Sequence, residues 1–199
     1  VVRDGRNKLI GYVAYDNETD KCCASEIGGT DVRVYEAILD FLASRAVKLR
    51  REEISFKLPT DHPFSRWARQ FGLKDATAYP RNGNAMARIT DLEACFESLS
   101  EELSARSSGF RGQAEFRLAT DIGNLRIAQT RGEISIGKST TGVPVVRISQ
   151  NHLTKLLMGY VSPNDLIIAG TLKAPKSIHP FLKKLFPLQT SQLWWSDRF

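Results

Sequence analysis

Five consecutive residues near the middle of the chain, Pro80-Arg81-Asn82-Gly83-Asn84, suit neither a helix nor a strand. Proline lacks an amide donor, glycine costs the most backbone entropy to order, and asparagine favours turns. No regular element crosses such a segment, so the 199 residues are expected to fold as two pieces, 1–85 and 86–199. Each is long enough to bury a core of its own.

The first piece opens with an apolar, β-branched and aromatic run, Leu9 to Tyr15, closed by the turn signal Asp16-Asn17. Cys22 to Ile27 reads as its hairpin partner. Thr30-Asp31 then offers a helix N-cap, and Val34, Ile38, Leu39, Phe41, Leu42 and Val47 keep helical spacing to about Leu49. A strand follows at Ile54 to Leu58, then a short helix from Pro63 through Trp67 and Phe71, stopped by Gly72; a further strand is conceivable at Thr77–Tyr79. In the second piece the pattern predicts a strand at Ala85–Ile89 and an amphipathic helix from Asp91 to about Arg106. Strands are expected at 112–119, 124–130, 132–137 and 144–148, and helices at Gln150–Met158, 163–169 and 175–185. The predicted class is α+β in both pieces.

The chemistry-bearing residues are sparse. Three cysteines, with Cys22 and Cys23 adjacent in a predicted strand, point their side chains to opposite faces and do not suggest a disulfide. The three histidines, His62, His152 and His179, are scattered, whereas zinc needs ligands at short spacings. These features predict a reduced, metal-free, cytoplasmic chain. No apolar run approaches the roughly 20 residues that span a bilayer, so no membrane partner is expected. The chain starts at Val1 without an initiator Met, which suggests processing or excision from something longer. Residues 126–184 hold nine basic side chains against Glu133 and Asp165 alone. These are spread over several elements, so a solvated surface is expected in preference to a nucleic-acid footprint.

Three local patterns carry little. Asp61-His62 with Ser65 could pair an acid and a base, but a loop between two prolines explains the polar pair as turn chemistry. Gly137-Lys138-Ser139-Thr140 lacks the earlier glycine of a phosphate loop. The apolar faces over 110–185 could line a lipid tunnel, but Phe116, Ile127, Leu156 and their neighbours are also the core that any sheet-and-helix domain requires.

Glu26-Ile27-Gly28-Gly29-Thr30-Asp31, the helix after it, and Trp67-x-x-x-Phe71-Gly72-Leu73 resemble the second half of a GNAT-superfamily acetyltransferase fold. Met86-Ala87-Arg88-Ile89-Thr90-Asp91-Leu92, Leu156-Leu157-x-Gly159-Tyr160 and Leu185-Phe186-Pro187…Trp194-Trp195-x-Asp197-x-Phe199 resemble a sterol-carrier-protein-like domain. The combination is similar to the enhanced-intracellular-survival family of N-acetyltransferases, in which a catalytic GNAT domain precedes a degenerate GNAT domain and a sterol-carrier-like domain. The resemblance implies that 1–85 is the degenerate, mixed-sheet GNAT-like half and 86–199 the sterol-carrier-like α+β domain.

The resemblance also implies a function and its parts. The whole protein would move acetyl from acetyl-CoA to an amine of a cationic acceptor. Its partners would be an N-terminal catalytic GNAT domain, the amine substrate and further copies in a homo-oligomer. Catalytic members hold the cofactor pyrophosphate through Gln/Arg-x-x-Gly-x-Gly/Ala; here Ser25 and Thr30 occupy the first and last places and Glu26 and Asp31 flank the turn. The expectation is therefore that this chain alone binds no acetyl-CoA. The family's terminal carboxylate acts as general base, which transfers to Phe199, with Trp194 and Trp195 as docking surface and Asp197 as a negative group near a cationic substrate. A lipid-binding module without chemistry of its own is the alternative expectation.

Overall fold

In a computed structural model, residues 1–16, 22–77, 86–138 and 142–190 are described. The chain divides into two compact units, the second beginning at Met86.

Unit 1 is a four-stranded sheet in the order β1 (Val2–Arg3), β2 (Leu9–Tyr15), β3 (Cys23–Gly29), β4 (Ser55–Phe56). The first three strands run antiparallel, and β4 lies parallel to β3. Two residues of the predicted 54–58 strand pair, and β1, which lies in a polar, charged stretch, was not expected. Helix α1 (Val32–Lys48) buries Val34, Ile38, Leu42 and Ala46, one residue per turn, against Ala24 and Ile27 of β3. Helix α2 (Pro63–Ala68) completes this core with Phe64, whose ring stands edge-on to Tyr35 and Phe56.

Unit 2 has a five-stranded sheet in the order β7 (Glu133–Gly137), β6 (Gly123–Thr130), β5 (Ala114–Thr120), β8 (Val145–Ile148), β9 (Leu172–Lys173). Only β5 and β8 are parallel. Its inner face, with Phe116, Leu118, Leu125, Ile127, Val146 and Ile148, is covered by the helices α3 (Leu92–Ser98), α4 (Ser100–Ser107), α5 (Gln150–Leu157), α6 (Pro163–Ile168) and α7 (His179–Leu185). Four expectations are corrected here. The predicted strand over 85–89 is absent in the described residues 86–89: Ile89 is buried, but its carbonyl accepts from Gln150 Nε2 and not from a neighbouring strand. The single helix 91–106 is divided at Leu99 (φ −95°, ψ 0°), although the ladder continues through it, since Leu99 N bonds Cys95 O and Leu103 N bonds Leu99 O. Residues 175–185 begin as a 3-10 turn (Lys176–Ile178), because Pro180 cannot donate in an α-helical ladder extended backward. Strand β9 is an addition too short for periodicity to show. The turn Pro80–Asn84 lies outside the described residues.

Candidate functional site

The glycine-rich junction between β3 and α1 is the first place to look for chemistry. At the start of a helix the unpaired amides and the dipole favour an anion. Here an anion is already supplied by the chain. Asp31, in extended conformation, accepts from Arg33 N at 2.8 Å, while Arg33 Nη2 meets its other carboxylate oxygen at 2.9 Å. That guanidinium, together with the backbone bond, holds the Asp31 carboxyl below the ordinary aspartate range. Val34 N bonds Asp31 O, and both the amide and the hydroxyl of Thr30 donate to Ile10 O, at 3.2 and 3.3 Å.

The space over the glycines is occupied as well. Val34 packs on Gly11 and Gly29 so closely that a Cβ on Gly29 would lie 2.8 Å from Val34 Cγ1. The Tyr12 ring lies over Gly28, where an added Cβ would come within 2.8 Å of Tyr12 Cζ. Tyr12 donates its phenol hydrogen to Glu26 Oε1 at 2.5 Å, and that bond pushes the Tyr12 pKa upward. Sequence reasoning missed Tyr12. The signal was available in the hairpin register, which sets Tyr12 directly opposite Gly28.

The Asp61-His62-Ser65 group is a cap. His62 Nδ1 accepts from Phe64 N at 3.1 Å, and burial lowers the imidazole pKa. Its lone pair is therefore spent on the first turn of α2, and the buried Ser65 hydroxyl has no hydrogen-bond partner among the described residues. His152 and His179 bond locally, to Ser149 Oγ and Ala174 O.

The second place is where the C-terminal segment leaves unit 2. Gly159 ends α5 with φ +67°, and its carbonyl accepts from Gln189 N at 2.9 Å. A Cβ there would meet Gln189 Cβ at 2.6 Å and Gln189 N at 2.8 Å. Arg106 reaches the same segment from α4: its guanidinium bonds Glu102 Oε1 at 2.7 Å, Leu185 O at 3.4 Å and Gln189 Oε1 at 3.3 Å. Phe186 is buried beside them. Residues 156–160 and 185–187, distant motifs of the sequence, thus join at one anchor. The predicted site residues Trp194, Trp195, Asp197 and Phe199 lie beyond it, outside the described residues, as do Ser139 and Thr140.

The apolar faces of unit 2 are spent on one another: Phe116, Ile127, Leu153, Leu156, Phe181 and Leu185 are almost wholly buried in one contiguous core. Two clefts of about 350 and 490 Å³ lie at its surface, beside Met86–Arg88 with Gln150 and around Arg131. Among the described residues there is no group of three His, Cys, Asp or Glu side chains able to hold a metal, and no helix is long and apolar enough to cross a membrane.

Taken together, the two mixed sheets with their helices define an α+β protein whose solved neighbours include GNAT acetyltransferases. A GCN5-related N-acetyltransferase from Kribbella flavida superposes on 90% of this chain with a TM-score of 0.60 at 15% identity. A conserved protein of unknown function from Enterococcus faecalis V583 does so over 92% at 0.54, also 15% identical. The chain spans under half of each, 44% and 45%. Sterol carrier protein 2 like 2 from Aedes aegypti matches 48% of this chain and 97% of its own at 11% identity and a TM-score of 0.35. No family model and no curated protein sequence matches the chain.

Proposed function

We propose that this chain is the C-terminal part of a GNAT-type N-acetyltransferase acting on an amine of a cationic acceptor, with 1–85 a cofactor-free GNAT half and 86–199 a sterol-carrier-like domain. The observation that carries the reading is the superposition on an N-acetyltransferase across nine-tenths of the chain, through both units. Acetyl-CoA supplies the thioester acetyl group, and the β3–α1 junction is ill suited to hold it, because the Asp31 carboxylate takes the Arg33 amide and Val34 and Tyr12 cover the glycines at the end of β3. The cofactor would be held by the preceding catalytic domain.

This chain's contribution is at its end. An ammonium acceptor must lose a proton before its lone pair can attack a thioester. The Phe199 carboxylate, following the Gly159–Arg106 anchor in sequence, would accept that proton, with Trp194 and Trp195 as its docking surface. Asp197 would draw the cationic acceptor.

The test is thiol release from acetyl-CoA by the longer protein with a polyamine acceptor, with and without residues appended after Phe199. The extension is expected to cut turnover about 100-fold or more. Absence of turnover in the unmodified protein overturns the class, and unchanged turnover in the extended one overturns the role of Phe199. Calorimetric titration of the 199-residue chain with acetyl-CoA is expected to show no binding; micromolar affinity would overturn the cofactor-free half.

A further inference from the structure

Unit 2 carries an acidic ridge on its helix layer, where Lys155 of α5 and Lys183 and Lys184 of α7 also lie, and a mainly basic patch on the outer face of its sheet. From Asp91 through Ala105 the sequence has five acidic residues and no basic one. Three of them, Glu93, Glu97 and Glu101, recur every four residues along α3 and α4, all exposed and with no ion pair among the described residues. The same helices turn Leu92, Phe96 and Leu103 into the core, and Ile134 N of the edge strand β7 bonds Ser104 Oγ. The acidic ridge therefore points away from the inner face of the sheet.

The outer face of the sheet carries four cations, Arg117, Arg126, Arg147 and Lys173, against Glu115 and, on the edge strand β7, Glu133. Register places Arg126 of β6 directly opposite Arg117 of β5, and Arg147 of β8 directly opposite Lys173 of β9. Like charges facing across strands are unfavourable unless an anion intervenes. One is neutralised: Glu115 bonds Arg126 at 2.5 Å. Arg117, Arg147 and Lys173 have no ion pair among the described residues, and Arg117 Nε is buried without a hydrogen-bond partner. The residues between them, Ala119, Ala128, Gly137 and Val145, are small. With no aromatic side chain among the described residues of this face, single-stranded bases would find nothing there to stack on.

The two surfaces fit each other in dimension. Cations on β6, β5, β8 and β9 span about 14 Å at the usual strand spacing. Glu93 to Glu101 span about 12 Å of helix. They cannot meet within one copy, because the unit's own core lies between them. We propose that the basic sheet face of one copy takes the acidic α3–α4 ridge of a second copy, a heterologous contact in which each copy offers one surface of each sign. This does not depend on the acetyl-transfer reading.

Charge reversal separates this from every unspecific attraction. Sedimentation of the full chain is expected to show association at 0.01 M salt, where screening acts over about 30 Å, and monomer at 1 M, where it acts over about 3 Å. Arg147→Glu with Lys173→Glu is expected to weaken association at low salt at least about tenfold, as is Glu97→Lys with Glu101→Lys. An equimolar mixture of the two variants restores it, and the chain carrying all four changes associates again. The four positions are exposed, and circular dichroism melts check that each variant folds. A wild-type chain monomeric at 0.01 M salt overturns the proposal. So does a mixture, or a fourfold variant, that fails to associate.

Discussion

Replacing Gly159 by alanine tests the anchor of the C-terminal segment, and a neighbouring glycine provides the reference. Gly159 and Gly170 both end helices with positive φ, +67° and +71°. Alanine at either pays the left-handed penalty of about 1–2 kcal/mol. They differ in surroundings. A Cβ on Gly170 meets nothing within 4 Å, whereas one on Gly159 falls 2.6 Å from Gln189 Cβ and 2.8 Å from Gln189 N. These are backbone and near-backbone atoms, fixed by the bond to Gly159 O and by Phe186 in the core, so they cannot swing aside as a side-chain tip would. Overpacking of this kind costs typically 1–3 kcal/mol. If residues 187–190 peel away instead, the loss is the Gln189 amide bond, about 0.5–1.5 kcal/mol. Because the protein takes the cheaper route, Gly159→Ala is expected to exceed Gly170→Ala by about 0.5–1.5 kcal/mol, measured as the difference in urea midpoint followed by circular dichroism. At a slope of about 1–2 kcal/mol/M that is a displacement of roughly 0.25–1.5 M. Amide exchange at Gln189 decides which route the protein takes: protection is kept under strain and lost on peeling. Equal costs for the two variants would refute the claim that Gly159 is there for the close approach of Gln189.

Gly11→Ala is expected to destabilise unit 1 by about 1–3 kcal/mol, because its Cβ would overlap Val34 Cγ1 and stand 2.8 Å from Gly28 O, while Gly5→Ala, with open space around it, changes little. Adding Val34→Ala should recover part of that cost, and strictly additive losses in denaturation midpoints would count against the packing argument. Both Asp31, bonded to Arg33, and Asp165, bonded to Ser162, have lowered carboxyl pKa values, so their contribution is complete above the unfolded aspartate pKa of about 3.9 and is lost as pH falls below it. The Asp31→Asn, Asp165→Asn double variant should lose less melting temperature between pH 5 and pH 3 than the wild type; an unchanged slope would show that other carboxylates set acid stability.

What the sequence reveals and what it hides follow from the range of the interactions. Helix α1 was legible because Val34, Ile38 and Leu42 repeat at helical spacing and Asp31 marks its start, all within a few residues. The hairpin of β2 and β3 was legible for the same reason. Strands β1 and β9 each pair over two residues, and nothing within two residues has a period; they exist because a neighbour in space offers an edge, whereas β4 is the expected 54–58 strand cut to the two residues that find a partner. The absent 86–89 strand is the converse, an apolar run whose buried Ile89 found a side-chain donor, Gln150, sixty-one positions later. The candidate sites divide in the same way. That the Gly28-Gly29 turn has the wrong residues for a pyrophosphate could be read from Glu26 and Asp31 directly, but that Tyr12 and Val34 fill it required the register of β2 on β3. Gly159 and residues 185–187 stood out separately as motifs. Their meeting at Gln189 and Arg106 gives both a common physical cause: the positive φ that only glycine takes easily, and a backbone approach that leaves no room for a Cβ.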